Sequence, residues 1–154
     1  MLIEVKAKVA RVIDNKTRKR SEVYVVDKEL FAEAEYRIMS ILAGDQETGS
    51  VDSYEIVSLR QSPIKEVASQ FTGNCTFIAT LKDIWLADDG TEKSLKYKVL
   101  LWADTPSQAM SNTLQIVHQG YDMQVEGIKQ VDYEYLTETP GVTNNEEEEN
   151  DDNS

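Results

Sequence analysis

The sequence predicts an α+β fold made of two tandem, pseudo-symmetric β-β-α-β units, with antiparallel sheet pairing and the helices on one face. Three observations carry this. Strand-type alternation twice gives way to helical spacing. The stretches "YVVDKELFAEAEYRIMSIL" (24–42) and "VLLWADTPSQAMSNTLQIV" (99–117) share their apolar positions at an offset of 75, as in Ala34 with Ala109 and Ile41 with Ile116. The C-terminal run "NNEEEENDDNS" has no apolar residue and is expected to be disordered. The domain reading is one duplicated domain over residues 1–139, with repeat units at about 1–62 and 74–136 and an acidic tail at 140–154.

The first strand lies in "IEVKAKVARVID". Ile3, Val5, Ala7 and Val9 point one way, and Glu4, Lys6 and Lys8 the other, the pattern of a half-buried strand. "NKTRKR" reads as a polar turn, with Lys16, Arg18, Lys19 and Arg20 at a hairpin tip. "SEVYVVD" is the return strand, rich in β-branched and aromatic residues. Residues 29–43 place Leu30, Phe31, Ala34, Ile38, Ile41 and Leu42 on one helical stripe. Asp27 or its successors would cap the helix start, and Gly44 would stop it. Residues 53–61 form a third strand, and Pro63 to Asn74 a joint.

The pattern then returns. "CTFIATLKDIWLA" is a strand, "DDGT" a turn with glycine at the positive φ that tight hairpins need, and "KSLKYKVLLWAD" the return strand. Thr105-Pro106 marks a helix start. That helix would run to about Gln119, with Ala109, Met110, Leu114 and Val117 inward and Gly120 at its end. "MQVEGIKQVDYEYL" closes the unit, with a bulge near Gly127. The first strands need a one-residue shift relative to the helices, which a bulge or an unequal turn would absorb.

The net charge is −12, and six carboxylates fall in the last nine residues: Glu146, Glu147, Glu148, Glu149, Asp151 and Asp152. The tail therefore dominates the acidity. Such a balance argues against non-specific duplex or membrane binding by the whole surface. One cysteine, Cys75, cannot cross-link its own chain, and no apolar run reaches membrane-spanning length, so the expectation is a soluble cytoplasmic protein. The start alternates instead of forming a signal sequence.

Catalytic chemistry finds little support. His118 is the only histidine, and no third group orients a pair with Cys75. No metal-ligand spacing and no glycine-rich phosphate loop occur. The expectation is a non-enzyme without cofactor.

Local charge points elsewhere. Residues 1–26 carry seven basic and three acidic groups. Lys6 and Lys8 project from the polar side of the first strand. Lys96, Lys98 and Trp102 share one face of the second hairpin, and Lys82 the polar side of its neighbour. A lysine face with an interspersed ring is what single-stranded nucleic acid uses, cations on phosphates and rings on unpaired bases. The candidate residues are Lys6, Lys8, Lys16, Arg18, Lys19, Arg20, Lys82, Lys96 and Lys98 at phosphates, with Tyr24 or Trp102 stacking. The same lysines also serve an ordinary sheet by keeping its outer face solvated.

The passage "K-x-R-K-R-S-E-x-Y-x-V-D" leading into "F-A-E-A-E-Y-R-I", with the second Lys-rich hairpin and helix, resembles a family from Bacteroidota and their phages. It is catalogued only as a domain of unknown function. The resemblance covers about residues 3–136 and brings no established activity. Its phage context implies a role in DNA replication or host takeover. The Glu-rich tail is not a feature of that family. In layout, a β-rich body with an acidic tail also resembles the single-stranded DNA-binding proteins of bacteria and phages, although here the tail lacks their terminal aromatic residue. Single-stranded DNA is thus the first expected partner. The alternative is a protein–protein interaction module whose tail grips a basic host protein. A homo-oligomer joined at open sheet edges is compatible with both.

Overall fold

The computed structural model describes residues 1–117 and 122–137. Its elements are β1 (Leu2–Ile13), β2 (Lys16–Asp27), α1 (Phe31–Thr48), β3 (Val51–Gln61), β4 (Ile64–Val67), β5 (Cys75–Leu86), β6 (Glu92–Ala103), α2 (Pro106–Val117), β7 (Asp122–Val131) and β8 (Tyr133–Leu136). They form two four-stranded sheets, ordered β3-β1-β2-β8 and β4-β6-β5-β7. The fold is α+β, and the hairpins and the third strands pair antiparallel.

Each half is one strand longer than the expected unit. β4 leaves the first half to pair in parallel with β6, and β8 leaves the second half to pair in parallel with β2. The joint after Pro63 therefore contains a strand. One residue, Asp132, separates Val131 beside Thr76 in one sheet from Tyr133 beside Val23 in the other. At the corresponding crossing, buried Glu4 accepts from Arg60 (Nε 3.1 Å, Nη2 2.9 Å) and from Ser62 Oγ (2.9 Å). Ser62 Oγ in turn accepts from the Ile64 N–H at 3.0 Å, which fixes the step from β3 into β4.

The hairpins explain the register shift between the halves. Ile3 pairs with Val26 and Phe77 with Leu101, so first strands correspond at an offset of 74 and second strands at 75. The extra residue sits in the turn. Asp14 and Asn15 alone join β1 to β2, at φ 53 and 64, a left-handed pair that Asp and Asn tolerate. The other hairpin uses Asp88, Asp89 and Gly90, closed by Ala87 N–H to Thr91 O (2.8 Å) with Gly90 at φ 86. Asp14-Asn15 is thus the true tip. The basic run Lys16 to Arg20 is the start of β2, because the turn chemistry one step earlier already reverses the chain.

The bulge expected near Gly127 is present: Thr80 faces Gly127 and Leu81 faces Val125, leaving Glu126 out. Its counterpart leaves Val57 out between Ser58 and Ile56.

Each helix covers one face of its own sheet. α1 buries Ala34, Ile38 and Leu42 over Ile3, Val5, Tyr24 and Val26. α2 buries Ala109 and Thr113 over Phe77, Leu81 and Leu101. The small alanines let the helices approach strands whose large side chains already fill the layer. The buried stripe is consequently narrower than expected: Leu30, Phe31, Met110 and Leu114 are exposed. α1 also begins later and ends later. Glu33 accepts the Leu30 N–H at 3.2 Å, while Asp27 is held by the chain's own amino terminus at 2.9 Å. Gly44 lies inside the helix, and Gly49, at φ 90, ends it. Thr105 begins α2 as expected, its Oγ1 accepting the Gln108 N–H at 3.1 Å. His118, Gly120 and the tail carboxylates lie outside the described residues.

Near the strand crossings, the faces that the helices leave free meet one another. Val25 from the first sheet packs with Ile64, Ile78 and Leu100 from the second, flanked by Trp102, Tyr133 and Tyr135. This third cluster joins the halves into one body.

Candidate nucleic-acid interface

Strand alternation sorts the basic residues. Lys6 lies opposite Val23, Lys8 opposite Ser21, and Lys19 opposite Ala10. All three occupy the helix-free face of the first sheet. Lys16, Arg18 and Arg20 point to the other side, the helix face. The run "KTRKR" is therefore split between two surfaces. In the second sheet Lys82 lies opposite Lys96, and Lys98 opposite Thr80, all on the helix-free face. Lys129, opposite Ile78 on β7, joins them, although its strand gave no charge cluster to mark it. Lys96 pairs with Glu126, the bulge residue, at 3.2 Å.

Two hollows follow this surface. A depression of about 500 Å3 is lined by Lys8, Ala10, Lys19, Ser21 and Glu55. A groove of about 580 Å3 is lined by Trp102, Tyr133, Tyr135, Asn74 and Gln130. Both include Arg20 and Ser21 in their walls, so they adjoin. A third, about 250 Å3 between the sheets, brings Lys98 and Lys129 beside the Glu4–Arg60 pair.

Tyr24 does not belong to this surface. It is 2% exposed, and its ring lies in the core under α1, so it offers no face to a base. Its hydroxyl donates to Glu22 in a network at the far end of that helix. Arg11 holds Glu22 through two bonds of 2.8 Å and reaches Asp45 of α1 at 3.2 Å, and Arg20 adds another bond of 2.8 Å. Burial raises the Glu22 pKa, but these donors outweigh it and hold the carboxyl at about 2. Burial, then the neighbouring Glu22 carboxylate, pushes the Tyr24 hydroxyl up. Arg20 is thereby committed partly to Glu22. Trp102, by contrast, is half-buried on the helix-free face, its ring tilted against Tyr135 at 6.1 Å between centroids.

Among the described residues no group of three or more His, Cys, Asp or Glu is placed to hold a metal ion. Cys75 is partly buried, its Sγ 3.9 Å from the Asp104 carbonyl. No described helix is long and apolar enough to cross a membrane.

The chain belongs to the family described as Domain of unknown function (DUF4494), whose model matches residues 1–139. No curated protein and no solved structure matches it.

Proposed function

We propose that this chain is a non-catalytic single-stranded DNA-binding protein of a bacterium or its phage. The observation that carries the reading is the gathering of Lys6, Lys8 and Lys19 on one helix-free sheet face, and of Lys82, Lys96, Lys98 and Lys129 on the other. The two faces flank a shared aliphatic cluster edged by the rings of Trp102, Tyr133 and Tyr135. Strands displaying lysines at alternate positions space cations about 6–7 Å apart, close to the phosphate repeat of an extended single strand. Lys16, Arg18 and Arg20 lie on the opposite side and steer the strand by field only. The acidic run Glu146 to Asp152 competes with phosphates for the same lysines and so sets the salt range of binding.

The test is fluorescence anisotropy of a labelled oligonucleotide with the full chain and with a chain ending at Pro140, at low salt and near 200 mM. Binding that weakens with salt and strengthens on truncation supports the reading. Absence of binding by both chains at low salt discards it.

A second reading rests on Trp85 and Leu95, which are 45% and 51% exposed. They neighbour one another on the helix face of the second hairpin, since Trp85 pairs with Lys93 and Leu95 with Asp83. Exposed rings of this kind suit a protein partner. A partner lost on Trp85→Ser, with no DNA binding by either chain, would favour it.

A further inference from the structure

The groove beside the lysine depression differs from it in chemistry. Its walls carry the rings of Trp102, Tyr133 and Tyr135. Its charged groups are Arg11 and Arg20, both bonded to Glu22, together with Asp132 and Glu134. A phosphate entering there would meet carboxylates and committed guanidinium groups. A flat, uncharged heteroaromatic ring would instead meet aromatic side chains, with Asn74 and Gln130 also lining the groove. The depression on the far side of the Arg20–Ser21 wall presents Lys8 and Lys19, with Glu55 opposite Lys8 leaving two cations to one carboxylate. Anion-binding and ring-binding surfaces therefore lie side by side, the order in which phosphate and base follow along a nucleotide chain.

From this juxtaposition we infer that the Trp102–Tyr133–Tyr135 groove is a base-binding subsite. It takes one unstacked nucleobase of a single strand whose adjoining phosphate rests on Lys8 and Lys19. The inference builds on the DNA-binding reading and specifies where a base, as distinct from the backbone, is held. A basic peptide is the less suitable occupant, because the two lysines would repel the residues flanking any arginine placed in the groove.

The corresponding corner of the other half does not repeat these three rings. In the paired register Trp102 occupies the place of Asp27, Tyr133 that of Ile64, and Tyr135 that of Val67. One ring-lined subsite per chain is expected.

The experiment uses full-length protein carrying Trp85→Phe, so that Trp102 is the sole tryptophan; Trp85 lies outside the groove. A thymidine oligonucleotide and an abasic deoxyribose-phosphate chain of equal length are titrated at low salt, following both anisotropy and Trp102 emission. The expected result is quenching of Trp102 by the thymidine chain only, with affinity for the abasic chain lower by about tenfold or more, the range of one stacked base. Trp102→Leu should remove most of that difference and Trp102→Phe retain it. The quenching comparison holds even if Trp102→Leu does not fold. Equal affinity for both chains with unchanged Trp102 emission overturns the subsite while leaving the lysine face intact. No binding of either chain overturns both. Quenching by an arginine-rich peptide and not by thymidine assigns the groove to a basic protein.

Discussion

Replacing Glu22 with glutamine tests the polar network that anchors the end of α1 to the first sheet. Glu22 is 12% exposed and accepts from Arg11, Arg20 and Tyr24. Its carboxyl titrates at about 2, against 4.5 for the free group. A difference of that size corresponds to about 3 kcal/mol of stability at neutral pH. Glutamine keeps the shape and one acceptor, but it turns an amide toward two guanidinium groups and removes their shared counter-charge, leaving Arg11 only the one at Asp45. The expected loss is about 2–3 kcal/mol at pH 7, or roughly 10 °C in Tm for a domain of this size. The sign with pH follows from the depressed value. The unfolded chain takes up the proton first as pH falls, so the contribution is complete above 4.5 and lost between 4.5 and 2, by up to about 1.4 kcal/mol per pH unit. Urea unfolding of both proteins from pH 7 to 2.5 should show a gap that closes on acidification. A gap below about 0.5 kcal/mol at pH 7, or one that stays constant down to pH 2.5, would refute the assignment of that stability to an ionised Glu22.

Other predictions test the core and the surface. A Cβ on Gly73 would lie 2.3 Å from the Ala103 carbonyl carbon. Gly73→Ala should therefore cost about 1–3 kcal/mol in denaturant unfolding. Leu100 is fully buried in the cluster between the sheets, so Leu100→Ala should cost about 2–5 kcal/mol while unfolding remains a single transition shared by both halves. Lys96→Glu with Lys98→Glu should weaken oligonucleotide binding at low salt and reduce its salt dependence, read by anisotropy. Lys16→Glu with Arg18→Glu, on the helix face, should have the smaller effect, and the reverse order would place the interface on the wrong side of the sheet.

Much of this was legible in the sequence because alternation and helical spacing are local signals. Ile3 to Val9 and Phe77 to Leu81 announce their buried faces, and the halves repeat them. Thr105-Pro106 marks its helix for a similar reason, a cap and a fixed φ. The exchanged strands were not legible. "IKEV" and "YEYL" are four residues each, and a parallel partner in another sheet leaves no periodic trace. The hairpin tip was misplaced because five polar residues outweighed a two-residue Asp-Asn turn in a composition reading. The sides taken by Lys6, Lys8, Lys96 and Lys98 were legible from the period of two, whereas Lys19 was grouped with the tip and parts from Arg18 and Arg20 only once β2 is seen to start at Lys16. The groove was not, since Trp102, Tyr133 and Tyr135 come together only through the crossing of β7 into β8.

The two halves share a plan but not a surface, and the differences fall where the plan leaves positions unconstrained. Where Arg11, Arg20 and Glu22 build a charged network on the first sheet, the second places Trp85, Leu95 and Tyr97. The buried positions are conservative by comparison: Ala34 matches Ala109 and Val26 matches Leu101 between helix and sheet, and Val25 matches Leu100 between the sheets. Packing explains the second set, because a buried site tolerates little change in volume. Packing alone does not dictate the first, because the partly buried Arg11 and Glu22 are held by ion pairs and hydrogen bonds and not by side-chain volume. The reciprocal exchange of β4 and β8 removes a further freedom, tying each half to the other so that neither sheet is complete alone. The ring cluster of Trp102, Tyr133 and Tyr135 likewise departs from the two-fold plan, with Asp27, Ile64 and Val67 at the matching positions. The base-binding role proposed above would account for that asymmetry, since a nucleotide strand runs in one direction.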